Sequence, residues 1–226
     1  MDSLKATGGL FTACKAVFFD IDGTLVDSNE FHVVAWDEAF RRSHRSVARY
    51  LLREQIGKGA DLLIPSLFPE LSDAEQKTLS DAHGEIFKSR FLQQVRPFPS
   101  AGELVHALHG AGKKILLVSS SDKKEVEHYA RLLAIEDALD GVVSFDDVAR
   151  TKPAGDLFAV ALRKAKEEAG EVIAVGDTPY DVEAAAKCGV RTIAVRSGGF
   201  TDQQLRAAGP LTIAMDVGAL FSELTA

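Results

Sequence analysis

The chain has 226 residues, 46% of them hydrophobic and 26% charged, with a formal net charge of −7. That composition describes a packed globular protein of one large domain, or of a core with a small second domain, and excludes a disordered chain. The acidic balance argues against nucleic acid as a partner, because phosphate contacts need clustered Lys and Arg.

Residues 1–14 read as a loose extension; residues 1–13 hold one Lys and no long apolar stretch, which does not describe a secretory signal. Ala16 to Phe19 is an apolar run that reads as a buried strand. Helical spacing follows over 30–42, 46–55, 60–67 and 73–92, the last opening with the capping-box pattern Ser72-Asp73-Ala74-Glu75. No strand is expected between 28 and 94, so this block is expected to be an inserted helical domain, with 1–27 and 95–226 forming the core. Pro97 and Pro99 mark the return. Helices over 100–111, 122–133, 156–169, 180–187 and 217–224 then alternate with strands over 114–118, 141–145, 171–175, 190–195 and 211–215. Such alternation predicts an α/β fold, a doubly wound and mostly parallel sheet with helices on both faces. No run approaches the ~18 apolar residues of a membrane span. The two cysteines, Cys14 and Cys188, read as free thiols of a reducing cytosol, so a cytoplasmic location is expected.

The polar residues of interest stand where strands stop. Asp20 and Asp22 follow the first apolar run, and Gly23-Thr24 breaks it. Ligands of open α/β sheets bind beyond the carboxyl ends of strands. Two close carboxylates there repel unless a cation or a shared proton neutralises them. Ser119-Ser120-Ser121 ends the strand over 114–118. It suits an oxyanion, or else an ordinary N-cap by Ser121 or Asp122. Lys152, in Thr151-Lys152-Pro153, could neutralise a carboxylate and a phosphoryl oxygen together, or could be a solvated Lys beside a helix-starting Pro. Asp177 and Asp181 follow the run 172–175. Hard oxygen ligands in this number suit Mg²⁺, while capping is the alternative for both.

In these residues the sequence closely resembles the haloacid dehalogenase superfamily, over about 15–224. Asp20-Ile21-Asp22-Gly23-Thr24 matches its first motif, Ser119 its second, Lys152 its third, and Gly176-Asp177 with Asp181 its fourth. The resemblance implies a Rossmann-like core with a helical cap. It implies that Asp20 is a nucleophile attacking phosphorus, Asp22 a general acid and then a base, and Ser119 and Lys152 holders of the phosphoryl group. Mg²⁺ would be bound by Asp20, Asp177 and the backbone carbonyl of Asp22, with Asp181 a further ligand or a support. Gly23, Thr24 and Ser120 are candidate substrate contacts. Dehalogenating members lack the second acid, because halide leaves without a proton, so Asp22 favours phosphate esters.

The segment from Asp27 to Trp36 resembles the hinge of sugar-phosphate members such as β-phosphoglucomutase, in which a His at the position of His32 lies near the general acid; a polar residue on a first helical turn is the alternative. Gly57-Lys58-Gly59 resembles the family's substrate-contacting turn, so Lys58 is a candidate for an anion, or else a solvated Lys. Ala60 stands where mutases tend to carry an Arg, which favours hydrolysis over mutase chemistry. Trp36, Phe11, Phe91 and Phe98 read as packing residues. The expected enzyme is a monomeric, Mg²⁺-dependent phosphatase of a small phosphorylated metabolite.

Overall fold

The computed structural model describes residues 5–226. In chain order the elements are α1 (Lys5–Ala13), β1 (Ala16–Phe19), β2 (Val26–Asp27), α2 (Asn29–Arg42), α3 (Arg49–Arg53), α4 (Ala60–Leu67), α5 (Asp73–Arg90) and β3 (Arg96–Pro97). Then come α6 (Ala101–Gly110), β4 (Lys114–Val118), α7 (Lys123–Leu132), β5 (Gly141–Val143), α8 (Asp156–Ala165) and β6 (Val172–Gly176). The chain closes with α9 (Pro179–Lys187), β7 (Arg191–Val195), α10 (Asp202–Ala208), β8 (Thr212–Ala214) and α11 (Val217–Leu224).

Six strands form one sheet in the order β5-β4-β1-β6-β7-β8, every neighbouring pair parallel. β1 is central and all four of its residues are buried. Its side chains alternate between the faces. Val17 and Phe19 join the core made with α6, α7 and α11, while Ala16 and Phe18 join the one made with α8 and α9. The sheet is therefore covered on both sides, which is why its strands read as continuous apolar runs. The chain runs outward from β1 through β4 to β5, then returns to β6 on the other side. The order reverses at β1, and a crevice opens at the carboxyl ends of β4, β1 and β6.

α2 to α5 lie between β2 and β3, two short strands that pair antiparallel, Val26 opposite Pro97 and Asp27 opposite Arg96. The chain therefore leaves and re-enters at neighbouring points. α2 packs along α5, with Trp36 stacked on His83 and Phe31 on Phe91. The capping box of Ser72 and Glu75 forms as its spacing predicts.

Several expectations are corrected. Of the supposed loose extension 1–14, residues 1–4 lie outside the described residues, and 5–13 are helix α1. Gly8, Gly9 and Thr7 give it poor intrinsic propensity. It is held by packing on α11, with Phe11 buried in the core. α10 was not expected, although Thr201-Asp202-Gln203-Gln204 carries a capping-box pattern that forms. The two-residue strands β2 and β3 are too short for any periodicity to reveal. Helix 46–55 shrinks to α3, and helix 156–169 stops at Ala165, where Lys166 turns left-handed with φ of 56°.

Candidate active site

Asp20 stands one residue beyond β1, and its N–H still donates to the Val175 carbonyl of β6 at 2.9 Å. The chain then turns through Gly23, with φ of 78°, a conformation open to glycine at no steric cost. The N–H groups of Thr24, Leu25 and Val26 all donate to the Ile21 carbonyl. Lys152 reaches this point from the far side of β4. It is 1% exposed, and its ammonium donates to Asp20 Oδ1 at 2.5 Å and the Val118 carbonyl at 2.7 Å, and pairs with Asp181 Oδ1 at 2.7 Å. The solvated-Lys alternative is thereby excluded, and Pro153 does not start a helix, since α8 begins at Asp156. Burial works against the charge on Lys152, but Asp181 and Asp20 outweigh it and hold its proton more tightly than in an ordinary Lys. Burial pushes Asp20 up; Lys152 pulls it back and Asp181 pushes it up again, leaving its pKa at about 7.

Asp177 follows β6 and is fully buried. Its Oδ1 accepts from the Thr24 hydroxyl at 2.8 Å and its Oδ2 from the Asn29 amide at 3.0 Å. Burial, Asp20 and Asp181 together raise its proton affinity well above the carboxylate range. Capping of α9 falls to Thr178, whose hydroxyl accepts from the Asp181 N–H, while Asp181 Oδ2 accepts from the Thr178 N–H and hydroxyl. Asp177 therefore has no capping role, whereas Asp181 both caps and faces Lys152. Gly23 and Gly198 press on Asp177 so closely that a Cβ on either would overlap its Oδ2. Gly23 and Thr24, candidate substrate contacts, shape the Asp177 pocket, with their own N–H groups donating to Val26 and Ile21.

Oxygens of Asp20, Asp177 and Asp181 lie within 4.8 Å of one another. Three buried carboxylates face one buried ammonium; with all three ionised the excess is two negative charges, whose burial is costly and raises the proton affinities of Asp20 and Asp177. An all-oxygen set of this charge fits a hard divalent cation such as Mg²⁺. The Asn29 amide nitrogen is committed to Asp177 and to the Gly198 carbonyl, leaving its buried Oδ1 without a protein partner beside the carboxylates.

The Asp22 carboxylate belongs to a second group. Its Oδ1 accepts from the Ser28 hydroxyl at 2.5 Å and meets His32 Nε2 at 3.2 Å, and its Oδ2 accepts from the Ser121 hydroxyl at 2.9 Å. Burial would raise its pKa, but the charge and hydrogen bond of His32, with the two hydroxyls, lower it below the usual carboxylate value. Burial opposes charge on His32, yet Asp22 and Glu125 raise its pKa. The imidazole stacks on Phe87 at 3.9 Å, with Nδ1 3.3 Å from His83 Nε2. Glu125 lies 3.7 Å from His32, and burial pushes its pKa to about 7 against the pull of His32. His32 stands on the first turn of α2 and is buried against the second Asp.

Ser119 is buried, and its Oγ accepts from the Ser121 N–H at 3.0 Å, while Asp122 caps α7. The Ser120 hydroxyl donates to the Gly57 carbonyl of the inserted helical block at 3.2 Å. More bonds cross there: the Gly59 N–H donates to Thr151 Oγ1 at 2.9 Å, and the Thr151 N–H and hydroxyl donate to Asp61 at 2.9 and 2.5 Å. Lys88 pairs with Asp122. Between the block and the sheet lies a cavity of about 430 Å³, bordered by Asp20, Asp22, His32, Lys58, Lys88 and Ser119. Lys58 is half-buried over the Tyr180 ring and donates only to neutral oxygens of Gln55 and Ser66.

Sequence reasoning missed Asn29, Glu125, His83 and the Asp61–Thr151 pair as site residues. Ser121 was missed too, although it stands in a hydroxyl run, and Thr151 stands beside Lys152. The others join segments far apart in the chain.

A family model described as haloacid dehalogenase-like hydrolase matches residues 17–195. The chain is 30% identical to a phosphoglycolate phosphatase of Rhodospirillum rubrum, covering 91% of this chain and 89% of that protein. It is 24% identical to the pyrophosphatase PpaX of Bacillus thuringiensis, covering 80% and 82%. The crystal structure of a hydrolase from Pseudomonas syringae superposes with a TM-score of 0.88 at 29% identity, covering 94% of this chain and 98% of that one. No helix among the described residues is long and apolar enough to cross a membrane.

Proposed function

The chain belongs to the haloacid dehalogenase-like hydrolase family, and from that premise we propose that it is an Mg²⁺-dependent phosphomonoester hydrolase. The observation that carries the reading is the separation of the two acids after β1: Asp20 lies among Lys152, Asp177 and Asp181, while Asp22 is held apart by Ser28, His32 and Ser121. One carboxylate is set among cations' partners and the other among proton donors, so the two are equipped for different tasks.

Asp20 attacks phosphorus; an Asp20–O–P bond forms and the bond to the leaving alcohol breaks. Asp22, having taken up one proton from solvent as the ester binds, gives it to that alkoxide. In the ester-free protein Asp22 is an anion, and the negative phosphoryl oxygens arriving beside it raise its proton affinity. Asp22 then takes a proton from water, the water oxygen attacks phosphorus, and Asp20 is freed with release of phosphate. Lys152 and Ser119 hold phosphoryl oxygens. Asp20, Asp177 and the Asp22 carbonyl would hold Mg²⁺, with Asp181 behind them. The ion supplies positive charge that lets an anionic carboxylate approach an anionic ester.

Residues 28–94 act as a cap on a core of 1–27 and 95–226, closing over substrate to exclude water. Lys58, with no carboxylate partner at the cavity wall, supports a small substrate carrying a second anionic or polar group, of the phosphoglycolate or sugar-phosphate kind. Ala60 offers no cation for a second phosphate, which supports hydrolysis rather than mutase chemistry. The decisive test is Asp20→Asn. Aryl phosphate turnover should fall by ~10³-fold or more in a variant that stays folded and melts cooperatively, and chelation should abolish wild-type activity until Mg²⁺ is restored. Near-normal rates in the variant, or in excess chelator, would refute the reading.

A further inference from the structure

Asp22, His32 and Glu125 present three ligand atoms within 4.8 Å of one another: two carboxylate oxygens and an imidazole nitrogen. His32 Nε2 is 3.2 Å from Asp22 Oδ1 and 3.7 Å from Glu125 Oε1. Around a tetrahedral Zn²⁺ with ligands at about 2.1 Å, neighbouring ligand atoms stand about 3.4 Å apart. The spacing already present is close to that edge. Glu125 is 6% exposed, and its Oε1 faces His32 with no hydrogen-bond partner among the described residues, an expensive state for a buried carboxylate oxygen.

The surroundings are those of a metal ligand set. His32 Nδ1 has His83 Nε2 at 3.3 Å, so with an Nδ1–H donated there Nε2 can give up the proton it shares with Asp22 and turn its lone pair to an ion. Phe87 fixes the ring by stacking, and the Ser28 and Ser121 hydroxyls fix the Asp22 carboxylate. All three ligands border the cavity, from which an ion can enter and a water can complete the coordination. We propose that Asp22, His32 and Glu125 form a second, inhibitory cation site that takes Zn²⁺.

Donor chemistry separates the two sites. Mg²⁺ prefers oxygen ligands and keeps its waters, which suits Asp20 and Asp177, whereas an imidazole with two carboxylates favours Zn²⁺. Two carboxylates and a neutral imidazole also balance the charge of one divalent ion. Zn²⁺ on Asp22 occupies the oxygen that must carry a proton to the leaving alcohol. Inhibition therefore rests on the phosphatase reading, whereas binding does not.

The test is calorimetric titration of ZnCl₂ into protein saturated with Mg²⁺. One Zn²⁺ per chain is expected, with affinity lowered at least tenfold in both Glu125→Gln and His32→Gln, and retained in Asp177→Asn. Co²⁺ in place of Zn²⁺ should give the intense visible absorption of a four-coordinate site. In activity assays the fraction of the rate lost to Zn²⁺ should not depend on Mg²⁺ concentration. Zn²⁺ uptake that excess Mg²⁺ abolishes, that Asp177→Asn removes, or that Glu125→Gln leaves unchanged would overturn the proposal. A protein inert toward phosphate esters yet binding Zn²⁺ in this pattern would overturn the phosphatase reading alone.

Discussion

Replacing Gly198 with alanine adds one methyl group where there is no room for it. Gly198 closes the turn Arg196–Gly198 after β7 and is not among the glycines of positive φ, so alanine carries no backbone strain. Its methyl carbon would overlap Asp177 Oδ2 and stand 2.7 Å from Asp177 Cβ. Carbon atoms pack at about 3.5 Å or more, so one partner must retreat by roughly 1 Å. The turn is tied down, its Gly198 carbonyl accepting from Asn29 at 3.2 Å and its Ser197 hydroxyl donating to Gly23 at 2.6 Å. The Asp177 side chain therefore yields, stretching its bonds to Thr24 and Asn29 from 2.8 and 3.0 Å beyond useful length. Metal–ligand distances tolerate only ~0.2 Å of error. Mg²⁺ affinity should fall roughly 100-fold, about 2.7 kcal/mol. The assay is calorimetric Mg²⁺ titration at fixed pH, with Gly199→Asn as control. Gly199 has φ of 89° and nothing within 4 Å of a Cβ, and Asn tolerates that conformation. The control should bind Mg²⁺ within about threefold of wild type. Wild-type affinity in Gly198→Ala would refute the cradle argument.

Asp22→Ala should slow alkyl phosphates by ~10²–10⁴-fold and activated aryl esters much less, since good leaving groups need little protonation; equal losses would contradict the acid role. Asp61→Ala removes the acceptor of the Thr151 N–H and hydroxyl. Hydrogen exchange of the Gly59 amide should quicken while strand 172–176 stays protected, and unchanged exchange at Gly59 would dismiss the pair as a latch. Because burial lifts Asp20 to about 7, protons compete with Mg²⁺ below that pH. Affinity should weaken by about tenfold per unit or more as pH falls below 7, because Asp177, its proton affinity raised as well, adds to the competition. Metal-free stability runs the other way: the folded state keeps a proton the unfolded chain loses near pH 4, so stability falls as pH rises from about 4 to 7. An Mg²⁺ affinity flat between pH 6 and 8 would rule this out.

The amino-acid sequence determined what depends on near neighbours. Ala16 to Phe19 is apolar throughout because both faces of β1 are covered, so the strand and the acids at its end were legible together. Ser72 and Glu75 cap one helix within four residues, and alternating apolar runs and helices implied the parallel sheet. The tertiary structure alone decided which partners each acid meets. Asp22 turns to His32 and Ser121, Asn29 to Asp177, and Asp61 to Thr151, across 10 to 148 residues of chain. Periodicity tells which face of an element is apolar, but not which other element lies opposite. These polar pairs form because burying the carboxyl ends of the central strands under α2 to α5 strips water from the charges. Each must then find a donor, an acceptor or an ion among whatever the fold has brought within hydrogen-bond reach.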